Sequence, residues 1–246
     1  MNKGEVRNME IGCLARNFNS YRDEVEFAKN NGFKLLQIWY DSKGISLTKD
    51  EDPVATIKAN EFPAIIHAVL DINEFEEHVP KLLAILKELQ HKEVIIHPLC
   101  SSEKITYKTI FKLSDKVKYA LSIFKENGIT LYLENNSRRS PIFNSANEIE
   151  IIFKRNPELE LVLDLAHISD YQQVNQIIQI KTPKLLHIAD KHLEVIHEHL
   201  PLGDGNIDFK YIFKNILPNF KGRAILEIVQ SSEDIITSRD ILLHLV

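Results

Sequence analysis

Side chains able to bind a metal or move a proton stand where short apolar runs stop. Glu134 closes Leu131-Tyr-Leu, and Asp164 closes Leu161-Val-Leu with His167 three residues on. His187 follows Leu185-Leu186, and Glu227 follows Ala224-Ile-Leu. A strand tip shaped by burial alone has no reason to end in a charge. Glu134, Asp164, His187 and Glu227 together offer mixed oxygen and nitrogen donors, which suit Mn²⁺, Mg²⁺, Co²⁺ or Zn²⁺ without a thiolate to demand a softer ion. Three carboxylates brought within a few ångströms would repel one another, and a divalent cation removes that cost. The same carboxylates, Glu134 and Glu227 above all, are candidates for general acid/base work on a substrate carbon.

The remaining histidines are more ambiguous. His67 follows Ile65-Ile66, and His97 follows Val94-Ile-Ile and precedes Pro98. Each is either a hydrogen-bonded core residue, a ligand for a second ion, or a group for substrate hydroxyls. The stretch from His187 to Asp208 adds His192, His197 and His199, and its Gly203-Asp-Gly205 reads as a tight turn. His197 and His199 share a face only in an extended segment, as ligands or as exposed loop residues. Arg138 and Arg139 either grip a phosphate or carboxylate bidentately or form a solvated loop tip. Trp39 and Tyr40 offer an apolar wall for a sugar ring, or simply pack.

Strand-like runs at 10–14, 35–39, 64–69, 93–97, 130–134, 161–164, 184–188 and 223–227 position these groups. They alternate with helical spacing at 21–30, 53–60, 74–90, 107–126, 145–154, 174–180, 209–216 and 232–245. Asn31-Gly32 and Asn127-Gly128 fit left-handed helix ends, Pro53 fits a helix start, and Pro157, Pro183 and Pro218 fit helix-to-strand connections. Eight such units in 246 residues, near the ~250 typical of the fold, predict an α/β protein, a single-domain (β/α)₈ TIM barrel over 1–246. A doubly wound open sheet would more often carry a glycine-rich first turn, and Ile11-Gly-Cys-Leu-Ala-Arg has none. In such a barrel the reactive groups gather at the C-terminal strand ends, so all these residues should face one mouth.

Thirty Lys and Arg against 35 Asp and Glu leave an acidic balance that argues against a nucleic-acid partner. Cys13 and Cys100 make no disulfide framework, and the first residues show no apolar leader; both predict a cytoplasmic protein, with no membrane partner. Assembly into a homo-oligomer is left open.

Leu-Glu134-Asn-Asn, Leu-Asp164-Leu-Ala-His167, His187-Ile-Ala-Asp190, His199-Leu-Pro-Leu-Gly-Asp-Gly-Asn-Ile-Asp and Leu-Glu227-Ile resemble the xylose isomerase-like barrel superfamily along nearly the whole chain. That group includes sugar-phosphate isomerases, ketose 3-epimerases, inosose dehydratases and endonuclease IV. The epimerase-like branch implies one divalent metal on Glu134, Asp164, His187 and Glu227, with the two glutamates as the acid/base pair, His167 on a substrate oxygen and a small carbohydrate as substrate. The arginine those epimerases carry six residues past the strand-seven histidine is Leu193 here, so Lys191, His192 or an arginine from elsewhere must replace it. Endonuclease IV implies instead a trinuclear zinc site. Eight of its nine ligand positions match His67, His97, Glu134, Asp164, His167, His187, His199 and Glu227, with His197 in place of an aspartate. The residues that wedge into DNA there are Leu70 and Asp71 here, which weakens a role at abasic sites. A non-catalytic sugar-binding barrel is the third reading.

Overall fold

Seven residues, six from barrel strands and Leu35 from the position just before another, pack together as a separate cluster: Leu35, Ile65, Ile95, Tyr132, Val162, Leu185 and Ile225. Side chains from so many strands can touch only inside a closed barrel. The structure, a computed structural model, describes residues 9–245. The barrel strands are β1 (Glu10–Leu14), β2 (Leu36–Asp41), β3 (Ala64–Asp71), β4 (Glu93–Leu99), β5 (Thr130–Glu134), β6 (Glu160–Asp164), β7 (Leu185–Ile188) and β8 (Arg223–Leu226). All neighbours run parallel, and β1 pairs with both β8 and β2, closing the ring. A two-residue arm, Gly44–Ile45, adds antiparallel to the end of β2.

The helices between strands are α1 (Tyr21–Asn30), α2 (Pro53–Asn60), α3 (Phe75–Leu89), α4 (Tyr107–Glu126), α5 (Ala146–Arg155), α6 (Tyr171–Ile180), α7 (Phe209–Tyr211) and α8 (Ser232–Leu245). The expected helix at 209–216 begins as α7 and continues as a wider π-helical turn over Ile212–Ile216, closed by a bond from Leu217 N to Ile212 O. Side-chain caps start most helices, including Ser20 on Asp23 and Asp52 on Ala55 beside Pro53. Gly32 and Gly128 take the left-handed conformation expected at the ends of α1 and α4.

Alternation along each strand decides what the barrel interior contains. Two residues beyond the apolar cluster toward the C-terminal ends stand Gln37, His67, His97, Glu134, Asp164, His187 and Glu227. The apolar layer is therefore a plug, and the chemical groups form the layer above it. Gly12 completes the plug on β1, where a Cβ would lie 2.7 Å from the Leu35 carbonyl oxygen. Below the plug, Arg223 donates to Glu93 across the barrel, and Tyr132 Oη donates to the same carboxylate at 2.7 Å. No helix among the described residues is long and apolar enough to cross a membrane.

Candidate metal centre

Strands β3 and β4 run past their expected ends, to Asp71 and Leu99. His67 and His97 therefore sit within strands rather than at tips, because the apolar and extended sequence continues beyond them. Both still enter the mouth layer, since two-residue alternation places a side chain inward wherever the strand ends.

One ligand atom each from Glu134, Asp164, His187 and Glu227 lies within 4.8 Å of every other, and all four residues are buried. The surroundings leave inward atoms of three of them, Glu134, Asp164 and His187, without a hydrogen bond. Asp164 Oδ1 accepts from Ala166 N at 2.6 Å and His167 N at 3.1 Å, while its Oδ2 has no partner. Glu134 Oε1 and both ring nitrogens of His187 are likewise buried without a hydrogen bond. His187 Nδ1 stands 3.2 Å from Glu134 Oε1 and 3.2 Å from Glu227 Oε1. Buried polar atoms this rarely go unpaired, and a convergent set of three carboxylates and an imidazole is what a divalent cation requires. The residues fit such an ion.

The electrostatics agree. Burial alone would raise the pKa of Glu134, but His187, His97 and His67 hold it well below the usual carboxylate range. Burial likewise opposes charge on Glu227, yet His187 and His199 depress it. His187 is raised to about 9 against its burial by Glu227 and Glu134. His199 rises to about 10, again against burial, through Asp164 and Glu227. In the absence of a metal, protons on His187 and His199 offset part of the carboxylate charge.

A second group forms beside the first. His167, His197 and His199 bring nitrogens within 4.8 Å of one another. His167 Nδ1–H donates to the Asn135 carbonyl at 2.9 Å, leaving Nε2 bare, and His197 Nδ1 is also unpaired. Burial, then His199 and His167, lowers His197 to about 4. His67, Glu134 and His187 make a third close group. His97 is tied elsewhere: its Nε2 meets Asn136 Oδ1, and its Nδ1 lies 3.4 Å from Glu134 Oε2.

The loop after β7 is braced by Asp190, whose carboxylate accepts from Lys191 N, Ile207 N and Gly203 N. A Cβ on Gly205 would fall 2.4 Å from Asp190 Oδ1, so only glycine allows this closure. The bracing delivers His197 and His199 to the mouth. Above the ligands lies a chamber of about 250 Å³ lined by Leu14, Trp39 and Val229 on one side and by His67, His97, His167, His197, His199 and Glu227 on the other. Trp39 meets His67 edge-on at 5.3 Å.

Some expected groups stand apart from this chamber. Lys191 is buried with Nζ donating to the Ile168 carbonyl at 2.9 Å, so its ammonium is not free at the mouth. His192 pairs with Glu198 at 3.1 Å. Arg138 and Arg139 are exposed, and Tyr40 is buried against His78 with Oη 2.8 Å from Nδ1. Three residues matter to which the sequence reading gave no role. Asn135 bonds both backbone groups of Asp164, and Asn136 holds His97 and the Pro98 and Ile142 carbonyls. Gln37 lies fully buried in the ligand layer, two residues past Leu35, a spacing shared by 65 and 67 and by 95 and 97.

A closed parallel barrel whose C-terminal mouth holds carboxylates and histidines in metal-binding proximity defines the class. The description "Xylose isomerase-like TIM barrel" matches residues 25–243, and the chain belongs to that family. Solved structures with the same fold include a D-tagatose 3-epimerase-like protein, with 20% identity, TM-score 0.76, and 96% of this chain and 97% of that one covered. The IOLI protein, solved with a binding zinc atom, shares 17% identity at TM-score 0.77 over 96% and 98%. D-Psicose 3-epimerase from Clostridium cellulolyticum H10, solved with D-tagatose, shares 14% at TM-score 0.72 over 96% and 99%. No curated protein matches the chain by sequence.

Proposed function

We propose that the protein is a divalent-metal-dependent isomerase or epimerase of a small polyhydroxylated carbonyl compound. The observation that carries this reading is the convergence of Glu134, Asp164, His187 and Glu227, with Glu134 Oε1, Asp164 Oδ2 and both His187 ring nitrogens buried without a hydrogen bond. A divalent ion held by these four would acidify a carbon-bound proton by drawing charge from the neighbouring carbonyl and hydroxyl oxygens. One of Glu134 and Glu227 takes that proton, and the electron pair moves to the carbonyl oxygen to give an enediolate. The other glutamate, which must enter the step protonated, gives its proton to the opposite face or to the adjacent carbon, so the two exchange protonation states over a turnover. Leu14, Trp39 and Val229 form an apolar wall on one side of the chamber. Among the described residues no Lys or Arg lines that chamber, and Arg16, in the adjoining cavity that shares Leu14, Trp39 and Val229, is held by Glu24; this favours an uncharged sugar or polyol over a sugar phosphate.

The test is solvent deuterium exchange into a panel of ketoses by the Mn²⁺-, Co²⁺- or Zn²⁺-loaded protein. Glu134→Gln and Glu227→Gln are each expected to lower exchange by about 10²–10⁴-fold, the usual worth of a general acid or base. Exchange at the wild-type rate in either variant would remove that residue from the acid/base pair.

The His167, His197 and His199 group favours a second reading, a multinuclear zinc phosphodiesterase. Against it, Leu70 is fully buried and the Asp71 carboxylate is taken by Asn73 and Ser101, so neither is presented to a DNA duplex. Nicking of abasic duplex by the zinc-loaded protein would favour this second reading.

A further inference from the structure

Gln37 links the two glutamates. Its Nε2 lies 2.5 Å from Glu227 Oε1 and 3.3 Å from His67 Nδ1. His67 Nε2 in turn lies 2.5 Å from Glu134 Oε2. Reversing the amide would set its carbonyl oxygen against a carboxylate oxygen, two acceptors with no proton between them. The NH₂ end must therefore face Glu227 and His67, and Gln37 Oε1 is indeed the end without a partner. An amide nitrogen only donates. His67 Nδ1 then accepts, its ring proton resides on Nε2, and that N–H donates to Glu134.

A nitrogen that carries a proton has no lone pair for an ion. Metal-binding histidines normally show the opposite pattern, one ring N–H donated to a carbonyl or carboxylate and the other nitrogen bare. His167 follows that pattern with the Asn135 carbonyl. His67 does not, although it lies as close to Glu134 and His187 as a third metal group would need.

We propose that Gln37 sets the ring proton of His67 on Nε2, thereby making His67 a hydrogen-bond donor that positions Glu134 and excluding an ion from the His67–Glu134–His187 group. This rests on the mouth being a metal centre, yet half of its test needs no metal. Gln37 is a positioning residue here, acting on substrate only through Glu134 and Glu227.

The experiment begins with long-range ¹H–¹⁵N spectra of the metal-free wild-type protein, the His67 signals identified by their loss in His67→Gln. The expected result is a protonated Nε2 and a bare Nδ1; a proton on Nδ1 overturns the proposal. Gln37→Glu, nearly isosteric, replaces the donor by an acceptor. It should move the His67 proton to Nδ1, free Nε2, and raise bound zinc by about one ion per chain in elemental analysis after dialysis. The double variant Gln37→Glu/His67→Gln should lose that extra ion. Retention of the ion in the double variant overturns the proposal, because the new carboxylate alone would then be the cause. A wild-type protein that binds no zinc defeats the metal-centre reading instead, and the His67 spectrum still decides the role of Gln37.

Discussion

The barrel carries charge at both ends of its apolar plug and handles it in opposite ways. At the floor, Glu93 receives two bonds from the Arg223 guanidinium and one from Tyr132 Oη. Lys184 and Lys181 flank Glu160 at 2.7 and 3.6 Å. At the mouth, Glu134, Asp164 and Glu227 pair with no Lys or Arg among the described residues; their side-chain neighbours are histidines and Gln37, and Glu134 Oε1 and Asp164 Oδ2 remain without a hydrogen bond. The floor groups are only partly buried whereas Glu134 and Asp164 are fully buried, so the carboxylates with less access to water are the ones left without a cation. The floor is complete as it stands, whereas the mouth becomes electrostatically complete only with an added cation or with protons on its histidines. Charge left unfinished in a buried place marks the functional end of the barrel.

The largest expected difference between the ends is in metal affinity. Asp164→Asn or His187→Leu removes a proposed direct ligand and should weaken Zn²⁺ or Mn²⁺ binding by at least about 100-fold, beyond the ~10–100-fold typical of losing an outer partner. Glu93→Gln at the floor should leave affinity unchanged. Isothermal titration of the three variants measures both, and equal losses would erase the distinction between the two ends.

Protonation sharpens the same contrast. His187 is raised to about 9 in the metal-free protein, so below that pH an ion must displace its proton. Affinity should therefore climb with pH, by about tenfold per unit for each proton released, and level off above pH 9. The metal-free protein has the reverse sign. With the folded pKa of His199 raised to about 10 from an ordinary 6.5, its stabilising contribution is full below pH 6.5 and lost as pH rises through 10. Urea midpoints between pH 6.5 and 10 should fall without metal, and the loaded protein should not share that fall. Matching pH profiles for the two forms would break the argument.

How far the sequence reveals this site depends on chemical contrast. Glu134, Asp164 and His187 each interrupt an apolar run, and a charge in that position is conspicuous. Gln37 sits in Leu35-Leu-Gln-Ile-Trp, where an uncharged amide draws no attention; only its two-residue offset from Leu35 marks it as a member of the ligand layer. Lys191 shows the converse failure. Its type suggested a cation for substrate, but its ammonium is held by the carbonyl of Ile168, a neighbour distant in sequence that only folding supplies. The left-handed end of α3 at Gln90 lacks the glycine that announced Gly32 and Gly128. The strands were legible because period two persists locally, while Arg223 and Glu93 lie 130 residues apart and their pairing left no local trace.

That floor pair supplies the smallest effect and the most direct test of completeness. Arg223→Met leaves the partly buried Glu93 carboxylate with Tyr132 alone and should cost about 1–3 kcal/mol, less than a fully buried pair because water still reaches the site. Restoring neutrality with Glu93→Leu in the same chain should recover most of that loss, since a paired ion couple and a packed apolar couple of similar size are often close in free energy. Metal affinity and deuterium exchange should be wild-type in both. An analogous apolar double replacement at the mouth, Glu134→Leu with His67→Leu, should stabilise the metal-free protein or leave it unchanged while abolishing exchange. If the floor double variant also lost exchange, the plug would be transmitting strain between the layers, and the two ends could no longer be treated as separate.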